Sequence, residues 1–231
     1  SLYLRLLGEG KVSREPSMQQ AIECVRSGTS SERVFSTDQR EFEKLPYAVF
    51  GYWCSPELRD AFVNHPVLEG NAGRARQGLA TADDFRFLRL RWEVNPSEIG
   101  NLGWQPFAKG GEYSPFYDDI YLVTLAPTPR SSLAAFQGSY IRNPDCYGKA
   151  GITWPPRTNK RFAPRALPRG CAFGHKGPSI VGIEPEPWAL LAALNSRVVS
   201  YLLSLGLGTA FCSAVGTVDT NVTGKPCRSP S

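Results

Sequence analysis

The chain has 231 residues, 42% of them hydrophobic and 20% charged, enough to bury one sizeable core with a small appendage. No apolar run approaches eighteen residues, which excludes a membrane-spanning helix, and no charged-then-apolar leader precedes the first elements. The net charge of +5 is uneven: Arg142 to Lys176 holds eight basic residues against Asp145 alone, so a polyanion partner becomes a candidate.

Residues 1–45 read as mainly helical, a connector broken at Ser27–Ser31, with Ser17 and Gln20 spaced as a capping box for a helix through Val25. The apolar run Ala48–Trp53 suits a buried strand. Ser55-Pro56-Glu57 supplies an N-cap, a first-turn proline and an early acid, which starts a helix through Phe62.

Between Arg86 and Val94 the pattern alternates, placing Leu88, Leu90, Trp92 and Val94 on one strand face and Phe87 on the other. Further strands are predicted at Ile120–Leu125, Cys171–Phe173 and Ser179–Ile183. Prolines and glycines between Pro144 and Pro178 are too dense for long helices. One long helix follows Pro187, with Leu190, Leu191, Leu194, Val198, Tyr201, Leu202 and Leu205 on its apolar face and Gly206 and Gly208 to end it. After Val218 the composition turns polar, and a disordered tail is expected over 219–231. The expected fold class is α+β: a mixed sheet of short strands with flanking helices and long loops, a helical N-terminal segment and one long C-terminal helix. The expected domains are a connector (1–45), a main domain (46–218) and the tail.

Chemistry-bearing motifs are mostly missing. No Walker loop, Gly-x-Ser-x-Gly elbow, His-Glu-x-x-His helix, cofactor-binding glycine loop after a strand, or Asn-Pro-Pro-aromatic tetrapeptide is present. The six cysteines lack zinc-ribbon spacing and read as reduced, mostly buried thiols of a cytoplasmic protein. The adjacent carboxylates Asp83-Asp84 and Asp118-Asp119 would face opposite ways on a strand, which disfavours a metal nuclease. No catalytic, cofactor or metal residue is therefore expected in this chain. Lys109-Gly110-Gly111 is more suggestive: two glycines let the backbone approach an anion and lysine adds charge, although a simple hairpin turn has the same composition. Trp154 lies amid the basic band, placed either to stack on a base or to cover a core edge.

Ordered blocks carry a resemblance. They are Phe42…Leu45-Pro46…Tyr52-Trp53, Gly78…Thr81…Asp84-x-Arg86-Phe87-x-Arg89, Trp92-Glu93, and Trp104-x-Pro106-Phe107-x-Lys109-Gly110-Gly111-Glu112-Tyr113. Gly151-Ile152-Thr153-Trp154, Phe162-x-Pro164-Arg165 and Leu194-Asn195-Ser196-Arg197 continue the series. Over about 40–217 this resembles the C-terminal target-recognition region of large adenine-specific DNA methyltransferases of BREX phage-defence systems and of fused restriction–modification enzymes. The chain departs at Thr81-Ala82-Asp83-Asp84, where the family commonly has Thr-Gly-Asp-Asn, and again after Val215-Gly216, where the family often has Leu-Pro.

The resemblance implies a sequence-specific double-stranded DNA recognition domain, non-catalytic by itself. Its partners would be DNA and the methyltransferase catalytic domain absent from this chain, which would use S-adenosylmethionine; no membrane is involved. Expected DNA contacts are Thr81, Arg86, Arg89, Lys109, Gly110, Gly111, Tyr113, Trp154, Arg157, Lys160, Arg161 and Arg165, with base reading from 128–147 and 155–170. Two other readings remain: a protein-interaction module for a defence-complex partner or a DNA-mimic protein, and a small enzyme built around Asp118, Asp119 and His175.

Overall fold

The computed structural model describes residues 1–6, 10–100, 103–128, 130–157 and 160–207. The expected tail over 219–231 and the helix stop at Gly208 lie outside them. The chain divides into two compact units, Ser1–Pro66 and Val67–Ser231. Residues 46–66, which the sequence reading groups with the larger domain, belong to the first unit.

In the first unit, β1 (Leu2–Leu4) pairs antiparallel with β2 (Val34–Ser36), flanking α1 (Arg14–Ser27). The segment is thus helical at Arg14–Ser27 and in a 3-10 helix at Gln39–Lys44, with a two-stranded ribbon that the helical reading did not include. Helix α1 begins four residues' worth of chain before the expected box: Ser17 lies inside it, and its backbone N–H already bonds to the Ser13 carbonyl. Gly28, left-handed at φ 70°, ends the helix and lets the following N–H of Thr29 reach the Cys24 carbonyl. The run 48–53 forms no strand. Tyr47 and Ala48 sit at φ 59° and 50°, incompatible with extended chain, and Phe50 is exposed. The aromatics of this stretch pack as a cluster instead, with Tyr3 stacked on Tyr52 at 4.9 Å and Phe50 tilted against Phe42 at 5.4 Å. Helix α2 (Pro56–Asn64) starts where its N-cap predicts, the Leu58 N–H donating to Ser55 Oγ.

The second unit is built on two four-stranded sheets. The first, in the order β3 (Arg74–Arg76), β10 (Ser179–Val181), β7 (Gly151–Thr153), β8 (Arg165–Leu167), is antiparallel throughout. The second runs β4 (Leu88–Leu90), β6 (Leu122–Leu125), β5 (Trp104–Ala108), β9 (Ala172–Phe173), with β5 and β9 parallel. Short strands, mixed pairing and flanking helices make the class α+β, as expected.

Strand β4 is shorter than the alternation predicts. The Asp83 carboxylate accepts the Arg86 N–H and caps a single helical turn, α3 (Asp84–Phe87). Phe87 in that turn is buried, and the strand stops at Leu90, where a 3-10 turn over Arg91–Glu93 leaves Trp92, expected on the core face, exposed. Three apolar clusters hold the unit. Leu79, Phe87, Leu88, Phe107, Leu133 and Ala172 back the second sheet; Ala108, Leu167, Phe173 and Val181 join side chains of both sheets. Ile152, Trp154, Phe162 and Ile180 pack with Leu191 and Leu194 of α4 (Trp188–Leu194).

The expected long helix is two, α4 and α5 (Arg197–Leu207), bent by 61°. Asn195 causes the break: its side-chain amide donates to the Leu191 and Pro164 carbonyls, and Ser196 Oγ then accepts the Val199 N–H to start α5. Among the described residues no single helix is long and apolar enough to cross a membrane.

Candidate nucleic-acid interface

Residues 174–178 leave β9 in one sheet and enter β10 in the other, so they cross the junction between the sheets. The loop between β5 and β6 reaches the same junction from the opposite side, where Phe116 bridges to Arg165 at the start of β8. A cleft of about 620 Å³ opens where these two segments meet. Lys109, Arg157, Arg165 and Lys176 line it with Asp118 and Asp119, over Phe107, Ile120, Tyr121 and Leu122.

Gly110 and Gly111 shape one wall. Both are left-handed, at φ 101° and 118°, and a Cβ on Gly110 would stand 1.9 Å from the Lys176 carbonyl oxygen. The glycines therefore serve close approach of two chain segments, not a tight hairpin between β5 and β6. The Gly110 carbonyl accepts from Arg165, whose guanidinium also donates to the Asp118 carboxylate and, at 3.4 Å, to the Glu112 carbonyl. Only 3% of the Arg165 side chain is exposed, so this cation braces the wall and is not available to a ligand phosphate. Burial pulls the Arg165 pKa down and the Asp118 charge opposes that pull.

Lys109 is also partnered. Its ammonium pairs with Asp84, and Thr81 Oγ1 donates to the second carboxylate oxygen at 2.5 Å. Burial opposes ionisation of Asp84, yet the hydrogen bonds from Lys109 and Thr81 outweigh it and hold the carboxyl below its usual range. Thr81 itself is buried. Ala82, between them, is left-handed at φ 58°.

The remaining candidates divide. Arg157 is exposed at the cleft and Arg161 is exposed nearby in sequence; Lys160 lies 5.0 Å from the Tyr113 ring centroid. Arg86 stacks over the Phe87 and Phe136 rings, and Arg89 over Trp104 while donating to the Phe85 and Leu88 carbonyls. Neither lines the cleft. Trp154 is 3% exposed and packs edge-on against Phe162, so it cannot stack on a base. Arg142, of the basic band, donates to Gln77, which lines the cleft, so the band reaches this site at Arg142, Arg157, Arg165 and Lys176.

Sequence reasoning did not place Gln77, Tyr121 or Lys176 at the site. Lys176 had a signal, a cation inside Gly-His-Lys-Gly-Pro; the other two come into place through pairing of distant strands. Asp118, Asp119 and His175 do line one cleft. No group of three or more His, Cys, Asp or Glu among the described residues is arranged to hold a metal ion.

No family model matches the chain. It is 25% identical over 213 residues to the adenine-specific methyltransferase BrxX of Escherichia coli O9:H4 (strain HS), covering 88% of this chain. It is 28% identical over 206 residues to the adenine-specific methyltransferase PglX of Lacticaseibacillus casei (strain Zhang), covering 81% of this chain. The chain spans 17% of the length of each of these relatives. The two matches support the expected relation to BREX-type adenine-specific methyltransferases.

Proposed function

We propose that this chain is the duplex-DNA target-recognition part of an adenine-specific methyltransferase of a phage-defence or restriction–modification system, and not its catalytic part. Methyl transfer, S-adenosylmethionine binding and extrusion of the target adenine would belong to the rest of the longer protein. The observation that carries the reading is the cationic cleft at the sheet junction in a chain related to adenine-specific methyltransferases. Arg157, Lys160, Arg161 and Lys176 offer phosphate contacts, with Lys109 as a fifth cation shared with Asp84. Such contacts set the position of a duplex without reading it. Base reading falls to 128–147 and 155–170, apart from strand β8 within the second stretch.

The test is a fluorescence-anisotropy titration of a duplex at several salt concentrations. Four to five phosphate contacts give a log–log slope of about −3.5 to −4.5, at roughly 0.9 per neutralised phosphate. Removing Arg157, Lys160 and Arg161 together lowers the slope by about 2.7, leaving about −1 to −2. Binding that ignores salt, or that survives the triple replacement, assigns the surface instead to a protein partner such as a defence-complex component or DNA mimic.

A further inference from the structure

The interior of the cleft differs in chemistry from its rim. A phosphate on Arg157 and Lys176 would leave most of the 620 Å³ empty, a volume in the usual range for an organic ligand. The floor is apolar, with Phe107, Ile120 and Leu122, and Tyr121 adds an aromatic ring at the mouth, 45% exposed. Two carboxylates complete the lining. Asp118 is fixed by the buried Arg165, whereas Asp119 is exposed and has no ion pair among the described residues.

We infer that the cleft takes a single nucleotide whose base carries an exocyclic amine. Its phosphate lies on Arg157 and Lys176, its ring over the apolar floor beside Tyr121, and its amine donates to Asp119. An ionised carboxylate accepts hydrogen bonds and donates none. Adenine, cytosine and guanine each present an amino group to it. Thymine offers one imide N–H between two carbonyl oxygens that the carboxylate repels, so thymidine nucleotides are discriminated against. The inference deepens the duplex-binding reading, on which it rests for a strand as the source of the nucleotide; a free mononucleotide has the same chemistry.

The experiment has two arms, both on the 231-residue chain. In the first, calorimetry compares dAMP, dCMP, dGMP and TMP with inorganic phosphate. Amino-bearing monophosphates bind about tenfold tighter than TMP and phosphate. Asp119→Asn removes or reverses that preference, because an amide can donate to a thymine carbonyl. Arg157→Ala weakens all four monophosphates alike. Both replaced residues are exposed, so circular dichroism stays that of the parent chain. In the second arm, a duplex carries one bulged 2-aminopurine nucleotide, and its fluorescence is followed on binding.

A response to Asp119→Asn in the second arm alone identifies a displaced strand nucleotide as the occupant; in the first alone, a free mononucleotide. Equal affinity for TMP, phosphate and dAMP together with an Asp119-independent bulge signal overturns the inference, as does no response in either arm. The duplex reading is separable: affinity for a fully paired duplex does not depend on Asp119, and its salt slope stands or falls by itself.

Discussion

Lys109 and Asp84 form an ion pair across 25 residues of sequence, and Thr81 holds the same carboxylate from its other oxygen. The most suggestive lysine of the Lys-Gly-Gly element is therefore half-neutralised before any ligand arrives. Asp84→Asn frees the ammonium, so duplex affinity rises about threefold and the salt slope steepens by up to about one. Lys109→Ala produces only a modest loss. Anisotropy at several salt concentrations measures both.

The same pair gives a pH dependence. Asp84 has a folded pKa below its ordinary value, so its stabilising contribution is present above the usual carboxyl range and is lost as pH falls through the folded value. The side chains are 34% and 44% exposed, which limits the contribution to about 0.5–1 kcal/mol. Urea denaturation at neutral and at acid pH shows a gap between the parent chain and Asp84→Asn that closes in acid.

Arg165 and Arg157 line one cleft but answer differently to replacement. Arg165→Met leaves Asp118 and two carbonyls without their donor and costs about 2–4 kcal/mol in denaturant unfolding, because the arginine is buried while Asp118 is partly open to solvent. Arg157→Ala changes stability by less than about 0.5 kcal/mol and acts on duplex affinity instead.

Ala82→Gly stabilises the chain by about 1 kcal/mol, since alanine at φ 58° carries a left-handed penalty that glycine escapes. Gly110→Ala does the reverse, losing about 3 kcal/mol or more, because its Cβ would meet the Lys176 carbonyl at 1.9 Å. Opposite shifts in thermal midpoint from two single-methyl changes check both.

Trp154→Phe costs less than about 1.5 kcal/mol, because the buried indole N–H has no partner to lose. Trp154→Ala opens the cluster of Ile152, Phe162 and Leu191 and costs about 3–5 kcal/mol. Duplex affinity of the Phe variant equals that of the parent chain; a selective loss there would place the tryptophan at the ligand.

Signals confined to a few neighbouring residues were legible. Ser55-Pro56-Glu57 starts a helix, and strands fall at Leu122–Leu125, Ala172–Phe173 and Ser179–Val181 near their expected places. The failures occur where a side chain overrides the local period. The Asp83 cap inserts a helical turn that buries Phe87, and the Glu93 carboxylate, accepting the Leu90 N–H, closes a second turn that leaves Trp92 exposed. Asn195, bonding to a carbonyl 31 residues away, breaks an apolar stripe that reads as continuous. Of the site, the Lys-Gly-Gly element and Arg157 were legible as anion-binding types; the cleft was not, because strand pairing brings its walls together from Gln77 to Lys176. The contacts expected with the resemblance reach the cleft at Lys109, Gly110, Gly111, Arg157 and Arg165 and miss it at Arg86, Arg89 and Trp154.

The five-residue passage from β9 to β10 limits where the chain tolerates added residues. The Gly174 N–H bonds to the Ala108 carbonyl and the His175 N–H to the Leu79 carbonyl, while Gly177 lies against the backbone of Gly110. Every residue added there would have to be accommodated by both sheets at once. The connections on either side of β7 are anchored only at points such as Leu133, Cys146 and Phe162, with exposed residues such as Arg157 and Arg161 between them. An insertion is therefore absorbed more readily in those exposed stretches than at the crossing, where two sheets would have to shift together.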